Sequence, residues 1–376
     1  MEPVDALRRG RDRILADPRF QRAAIAFAPT RPIAQRRAAL LFDLCAGFVY
    51  SQVVQACVTL RLPQRVAAAP MSAAALALDL ALPSDRLELL LDAAAAIGLL
   101  EHRSASRYGL GMHGAALLAN PGVVAMVEHH RLLYADLTDP VAVVAMAREH
   151  AGAAASPGTG AFWPYAGHRA PADLPAQSVR PYCDLMAASQ QFIAELVLAA
   201  YRFDRHAHLL DVGGGDGSFA IATAERAPKL AVTVFDLPAV ATIARRHLEA
   251  TGFASRATCV GGDFLRDPLP PGADLATLVR VLHDHEDAQA LRLLTAIHAA
   301  LQPGGTLLIA EPVAGDQGAG RRAACYFSVY LMAMGSGRPR TRRQIRHMVE
   351  QAGFGNVRWR TTRNPLLASV MTATRR

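Results

Sequence analysis

Four short segments in the second half of the chain hold residue types that can do chemistry. In Leu209-Leu210-Asp211-Val212-Gly213-Gly214-Gly215-Asp216-Gly217, an apolar run enters a glycine-rich turn and a helix pattern follows. Glycine tolerates positive φ and lets a ligand approach the backbone closely. NAD, FAD and adenosylmethionine sites all use such a turn, and a tight turn without a ligand uses it too. The second segment is Val234-Phe235-Asp236-Leu237. A carboxylate there, at the end of the next strand, can accept from both hydroxyls of a ribose. The rival role for Asp236 is to cap the helix that starts at Pro238. The third is Gly261-Gly262-Asp263-Phe264, where Asp263 can accept from an adenine amino group and Phe264 can cover the ring. The fourth is Arg280-Val281-Leu282-His283-Asp284-His285-Glu286-Asp287. A histidine titrates near neutrality and can take a proton from an acceptor hydroxyl. A metal bound by His283, His285 and Asp287 is the competing reading, and Asp284 or Asp287 can also serve as a helix cap.

These segments need a frame that brings them together. Candidate strands at 208–213, 231–236, 256–260, 275–281 and 305–310 alternate with helical stretches. This pattern predicts an α/β domain with a parallel sheet and helices on both faces. In such sheets ligands bind at the carboxyl ends of the strands, where three of these segments would sit in register.

The first third reads differently. Residues 5–60 are helical in pattern, and Arg8, Arg9, Arg11 and Arg13 interleave with Leu7, Ile14 and Leu15. That stretch is a surface helix or a membrane-surface helix. Phe42 to Leu60 is apolar enough for a core or an interface. Ser72 begins one helix and Ser84 caps a second, which Gly98 ends. Two short strands around 99–101 and 108–110 complete a winged helix-turn-helix, a module that binds DNA or dimerises. Residues 151–180 are a Gly-, Ala- and Pro-rich connection carrying Trp163 and Tyr165, expected to pack against the site. The predicted domains are 1–118 and 119–376.

Composition narrows the partners. Net charge is +8, but Lys229 is the only lysine, so a bias toward arginine accounts for much of it. Only Arg86 is basic between residues 72 and 97, where a recognition helix would lie, so no nucleic acid is expected. A second cluster is Gly337-Arg338-Pro339-Arg340-Thr341-Arg342-Arg343. The five cysteines form no C-x-x-C pair, which disfavours structural zinc and suits a reducing cytoplasm. No signal-peptide pattern and no uninterrupted run of about 18 apolar residues occurs. A cytoplasmic protein is expected, with peripheral contact at the inner or photosynthetic membrane left open.

Taken together, the four segments resemble the small-molecule O-methyltransferases of the plant caffeate and acetylserotonin type, from about Ala56 to Phe354. The resemblance implies an N-terminal winged-helix domain that forms a homodimer and a Rossmann-like domain that binds S-adenosyl-L-methionine without a metal. It implies cofactor contacts from Asp211, Gly213, Gly215, Asp236, Leu237, Asp263, Phe264 and Arg280, the last standing where the family has lysine. It implies a base at His283, with Glu311 of Leu308-Ile309-Ala310-Glu311-Pro312 beside it. The family's Leu-His-Asp-Trp reads Leu282-His283-Asp284-His285 here. Its second glutamate is replaced by Pro339, so Glu311 alone or Asp284 would orient His283. The segment from Leu41 to Gln52 and the Arg338-Pro339-Arg340-Thr341 stretch resemble the bacterial branch that methylates hydroxylated carotenoids, with bacteriochlorophyllide C-20 methyltransferases nearby. A small lipophilic hydroxylated substrate is thus expected, in a tunnel lined by Met186, Phe327, Tyr330, Leu331, Met332 and Met334, several of which can equally be core. A DNA-binding regulator sensing adenosylmethionine and an inactive dimerising scaffold are the rival readings.

Overall fold

The computed structural model describes residues 3–145, 158–168 and 170–376. The chain divides into two compact units, Met1–Ala119 and Asn120–Arg376. Most of the connection expected at 151–180 is described, with residues 151–157 and 169 outside the described residues.

The first unit is helical with a small sheet. Helices Pro3–Ala16 and Pro18–Ala26 lead into a 29-residue helix, Arg31–Thr59. By length and composition this long helix could cross a membrane, although its apolar stretch is too interrupted to suggest so in the sequence. Its last turns are part of the unit's core, with Cys57 and Val58 buried, whereas Leu41, Phe42, Leu44 and Phe48 lie exposed. Helices Ala73–Leu80 and Ser84–Ala96 precede β2 (Leu100–Arg103) and β3 (Arg107–Leu110), which join β1 (Met71–Ser72) in the order β1-β3-β2. This is the expected winged arrangement. Ser72 caps the first helix by accepting from Ala75 N. Ser84 does not cap the second: it is the first helical residue, and Pro83, with no side-chain acceptor, stands at the cap. That helix exposes Asp85, Glu88 and Asp92 beside Arg86, a face that repels a phosphate backbone.

The second unit is built on a seven-stranded sheet, ordered β6-β5-β4-β7-β8-β10-β9. Strands β4 (His208–Val212), β5 (Ala231–Asp236), β6 (Ala257–Gly261), β7 (Ala273–Val279) and β8 (Leu301–Glu311) are parallel, as expected. The sheet is mixed, however. β9 (Phe354–Arg360) and β10 (Ser369–Arg375) add an antiparallel edge, with β10 pairing against β8. Consecutive residues of the central strands face opposite layers. Leu210 and Val212 join one core with Ala276, Leu278, Leu293 and Ile297. Leu209 joins the other with Val234, Leu275 and Leu308. Burying each such leucine contributes roughly 1.5–3 kcal/mol. The strand order reverses at β4, so a crevice opens at its carboxyl end between β5 and β7.

Candidate active site

The glycine-rich turn lies in that crevice. Gly213, Gly215 and Gly217 have φ of 70°, 60° and 82°. A Cβ on Gly213 would lie 2.7 Å from Val281 Cγ2, so the turn also needs glycine for packing. Asp211 is buried; its Oδ1 accepts from Thr277 Oγ1 at 2.6 Å, while Oδ2 has no partner among the described residues. Burial raises its pKa to about 7, against the lowering effect of Thr277. Asp236 Oδ2 accepts from Gly215 N at 2.8 Å and Oδ1 from Leu237 N at 2.7 Å. Burial nevertheless pushes Asp236 to about 6. Asp236 is not the helix cap, a position that Leu237 occupies.

A cavity of about 440 Å³ continues from this turn. Asp211, Gly213, Gly215, Asp236, Leu237, Asp263, Phe264, Arg280 and Asp284 all line it, together with an aromatic wall of Trp163, Tyr165 and Tyr182. Asp263 is tied down through Oδ1, which accepts from Leu265 N at 2.9 Å. Phe264 stands edge-on to His285 at 5.2 Å. Arg280 takes a left-handed φ of 58°. Its Nη1 donates to Ser189 Oγ at 2.9 Å and its Nη2 to Gln190 Oε1 at 2.7 Å, both on the helix Ala176–Ala200. Desolvation lowers the Arg280 pKa, against Asp284 and Glu311.

The residues present fit S-adenosylmethionine. A buried carboxylate oxygen without a partner among the described residues, a second carboxyl on the cavity wall and a glycine cradle form a site that favours a cationic ligand rich in donors.

His283 and Glu311 meet because β7 and β8 are neighbours that end together, with Val279 paired to Ala310. Glu311 is 2% exposed. Its Oε1 accepts from Val281 N at 3.0 Å and Leu282 N at 2.7 Å, and its Oε2 pairs with His283 Nδ1. His283 Nε2 lies 3.2 Å from Asp284 Oδ1. Asp284 Oδ2 accepts from Tyr165 Oη at 2.8 Å. Asp284 is on the cavity wall and His283 lies next to it, off the wall. Burial disfavours the charged imidazole, but Glu311 and then Asp284 outweigh it and raise His283 to about 9. Burial instead lowers His285 to about 4.

Two rival readings fail, and one expectation needs correction. The helix Asp287–Ala300 is capped by Glu286, in a capping box with Gln289, and not by Asp284 or Asp287. His283, His285 and Asp287 do not converge as a metal site. Asp287 is held by Arg338 and Arg340, chiefly by hydrogen bonds from Arg338, which draw its pKa to about 2. Among the described residues no group of three or more His, Cys, Asp or Glu is placed to hold a metal. Of the expected tunnel residues only Met186 lines the cavity. Tyr330, Leu331 and Met334 are core, Tyr330 accepting from Trp163 Nε1 at 2.7 Å. Met332 is exposed, and Phe327 packs edge-on to His283 at 5.5 Å.

The roles of two residues escaped the reading of the sequence. Arg340 is 2% exposed; Nη1 donates to Leu282 O and Nη2 to His285 O, each at 2.6 Å, and Nε to Asp287 Oδ1 at 3.0 Å. Around it, Ser336 Oγ donates to Asp284 O at 2.8 Å and Arg338 N to His283 O at 2.9 Å. The stretch with Pro339 therefore supplies no second carboxylate but clamps the backbone of the His283 loop. The second carboxylate is Asp284, fixed by Tyr165, which lies against the site as expected but whose partner the sequence did not show. Only the arginine cluster and the embedded aromatic pair hinted at them.

Comparison with known proteins gives the family and the fold. Residues 165–355 match the O-methyltransferase domain family and residues 42–120 the O-methyltransferase dimerisation domain. The demethylspheroidene O-methyltransferase of Cereibacter sphaeroides is 39% identical over 96% of this chain and 94% of its own. That of Rhodobacter capsulatus is 41% identical over 91% and 84%. Human N-acetylserotonin methyltransferase, solved in complex with SAM, superposes with a TM-score of 0.73 at 24% identity, over 90% of this chain and 97% of that one. With its dimerisation domain, its mixed seven-stranded sheet and its cofactor site for S-adenosylmethionine, the chain belongs to the plant-type small-molecule O-methyltransferases.

Proposed function

We propose that this enzyme methylates a hydroxyl group of a long apolar acceptor of the hydroxylated-carotenoid kind. The observation that carries the reading is the pair of demethylspheroidene O-methyltransferases related to nearly the whole chain at 39% and 41% identity. The aromatic wall of Trp163, Tyr165 and Tyr182 beside Met186 supports it, because an apolar acceptor favours an apolar lining.

Bound S-adenosylmethionine supplies a methyl carbon made electrophilic by its sulfonium. Asp236 would accept from the ribose hydroxyls, Asp211 would offer Oδ2 to a donor, and Asp263 with Phe264 would hold the adenine. Alignment of the acceptor in the cavity removes roughly 7–11 kcal/mol of barrier. His283 is the proton acceptor, oriented by Glu311 and reached from the cavity along Asp284. An aliphatic alcohol is too weak an acid to ionise first. Its oxygen becomes strongly acidic only as the new bond to carbon forms, and the proton then leaves to the Asp284–His283 pair. Such base assistance contributes about 10²–10⁴-fold.

The test is methyl transfer from labelled S-adenosylmethionine, with hydroxylated carotenoids and a bacteriochlorophyllide offered separately. Label in the carotenoid fraction is expected. Label only in the bacteriochlorophyllide, or in neither while cofactor binds, would overturn the acceptor.

A further inference from the structure

Residues 1–40 carry nine arginines against Glu2, Asp5, Asp12 and Asp17, a net +5 of the chain's +8 in about a tenth of its length. Nothing between residues 4 and 40 is buried. The helix Pro3–Ala16 packs on Pro18–Ala26, and that helix on the start of Arg31–Thr59. Arg31 makes the second fold-back, its Nε donating to Ile25 O at 3.0 Å and its Nη2 to Ala26 O at 3.0 Å. Arg11 pairs with its neighbour Asp12. Arg8, Arg9, Arg13, Arg22, Arg36 and Arg37 are exposed and form no ion pair among the described residues. Interleaved with them, Leu7, Phe27 and Ile33 are 76%, 61% and 60% exposed, and Ile14 and Phe20 also face solvent.

We propose that this helical arm docks the enzyme on an anionic phospholipid membrane, with the arginines on the headgroups and the apolar side chains at the acyl boundary. Basic and aliphatic residues on one short helical surface are what an anionic bilayer binds. A second copy of the chain would bring the same positive charge against itself, and the arm precedes the dimerisation match, which begins at residue 42. Nucleic acid would engage the arginines but leave the exposed leucine, isoleucine and phenylalanine side chains in water. The alignment with the Cereibacter sphaeroides relative covers 96% of the chain and so takes in most of the arm. The inference rests on the arm and not on the identity of the acceptor.

The experiment is sedimentation of the full chain with phosphatidylglycerol–phosphatidylcholine vesicles, with phosphatidylcholine vesicles alone, and with a short DNA duplex. Binding to the first, weakened by salt, is expected. A variant with Arg8, Arg9, Arg13 and Arg22 each changed to Gln should lose about fivefold in partitioning per arginine. Leu7→Ser with Ile14→Ser should weaken binding at high salt as well. Methyl transfer to a detergent-solubilised acceptor should be unchanged in both variants. Equal sedimentation of wild type and variants would overturn the proposal. So would preference for the duplex, or a change of oligomeric state in light scattering on altering the arm.

Discussion

The two ends of the cavity are built in opposite ways. At the glycine-rich turn, Asp211 Oδ2 has no hydrogen-bond partner among the described residues, and desolvation pushes both Asp211 and Asp236 up. At the His283 loop, both imidazole nitrogens, both oxygens of Glu311 and both of Asp284 are engaged, and Arg340 clamps the backbone beneath. The first end gives up carboxylate solvation in favour of a ligand. The second is organised in advance, which is where charge-handling groups act most strongly. On the proposed function, binding and proton transfer fall to different structural devices, which variants can separate.

The largest effect is expected at the preorganised end. His283→Ala should lower kcat about 10²–10⁴-fold with cofactor affinity intact. Near-normal turnover would remove His283 from the chemistry. Arg340→Met strips Leu282 O, His285 O and Asp287 of a buried partner. It should cost about 1–3 kcal/mol in chemical denaturation, the range for leaving buried hydrogen-bonding groups unpaired, since Asp287 itself is half-exposed. Unchanged stability would mean that the clamp is ornamental. Asp211→Asn should do the reverse. It removes a desolvated charge, so the ligand-free protein should melt higher, with a gain of about 1–3 kcal/mol, while cofactor affinity in calorimetry falls. A variant that binds normally would break the contrast between the two ends. The smallest effect is expected from Tyr165→Phe, which removes one neutral donor to Asp284. A loss of about 0.5–1.5 kcal/mol in transition-state stabilisation, read from kcat/KM, is the expected scale.

The contrast also decides what the sequence could reveal. The cofactor end uses backbone and glycine in consecutive strand ends, so Asp211, Asp236 and Asp263 were legible from local spacing. His283 stood out by residue type at a strand end, but Glu311 beside it was legible only through the family resemblance, because their contact depends on β7 lying beside β8. Arg340 and Tyr165 act over 53 and 119 residues on Asp287 and Asp284, and nothing local specifies such pairs. The edge strands were missed for a similar reason. β9 is interrupted at Asn356, whose φ of 52° coincides with a register shift opposite Thr372 and Thr374. Such a bulge breaks the alternation that marks a strand.

Protonation links the His283 cluster to both stability and rate. The folded pKa of about 9 lies above the unfolded value of about 6.5. Its stabilisation is therefore complete below about pH 6.5 and is lost as pH rises through about 9. Turnover has the opposite dependence, since only the neutral imidazole accepts a proton. The measurement that tests this most directly is the pH profile of kcat/KM for wild type and Asp284→Asn, with any acceptor that turns over. The wild type should rise about tenfold per pH unit toward a plateau near pH 9. Removing the Asp284 charge should move that limb to lower pH. A flat wild-type profile, or a limb that stays in place in the variant, would contradict the assignment of His283, held between Glu311 and Asp284, as the proton acceptor.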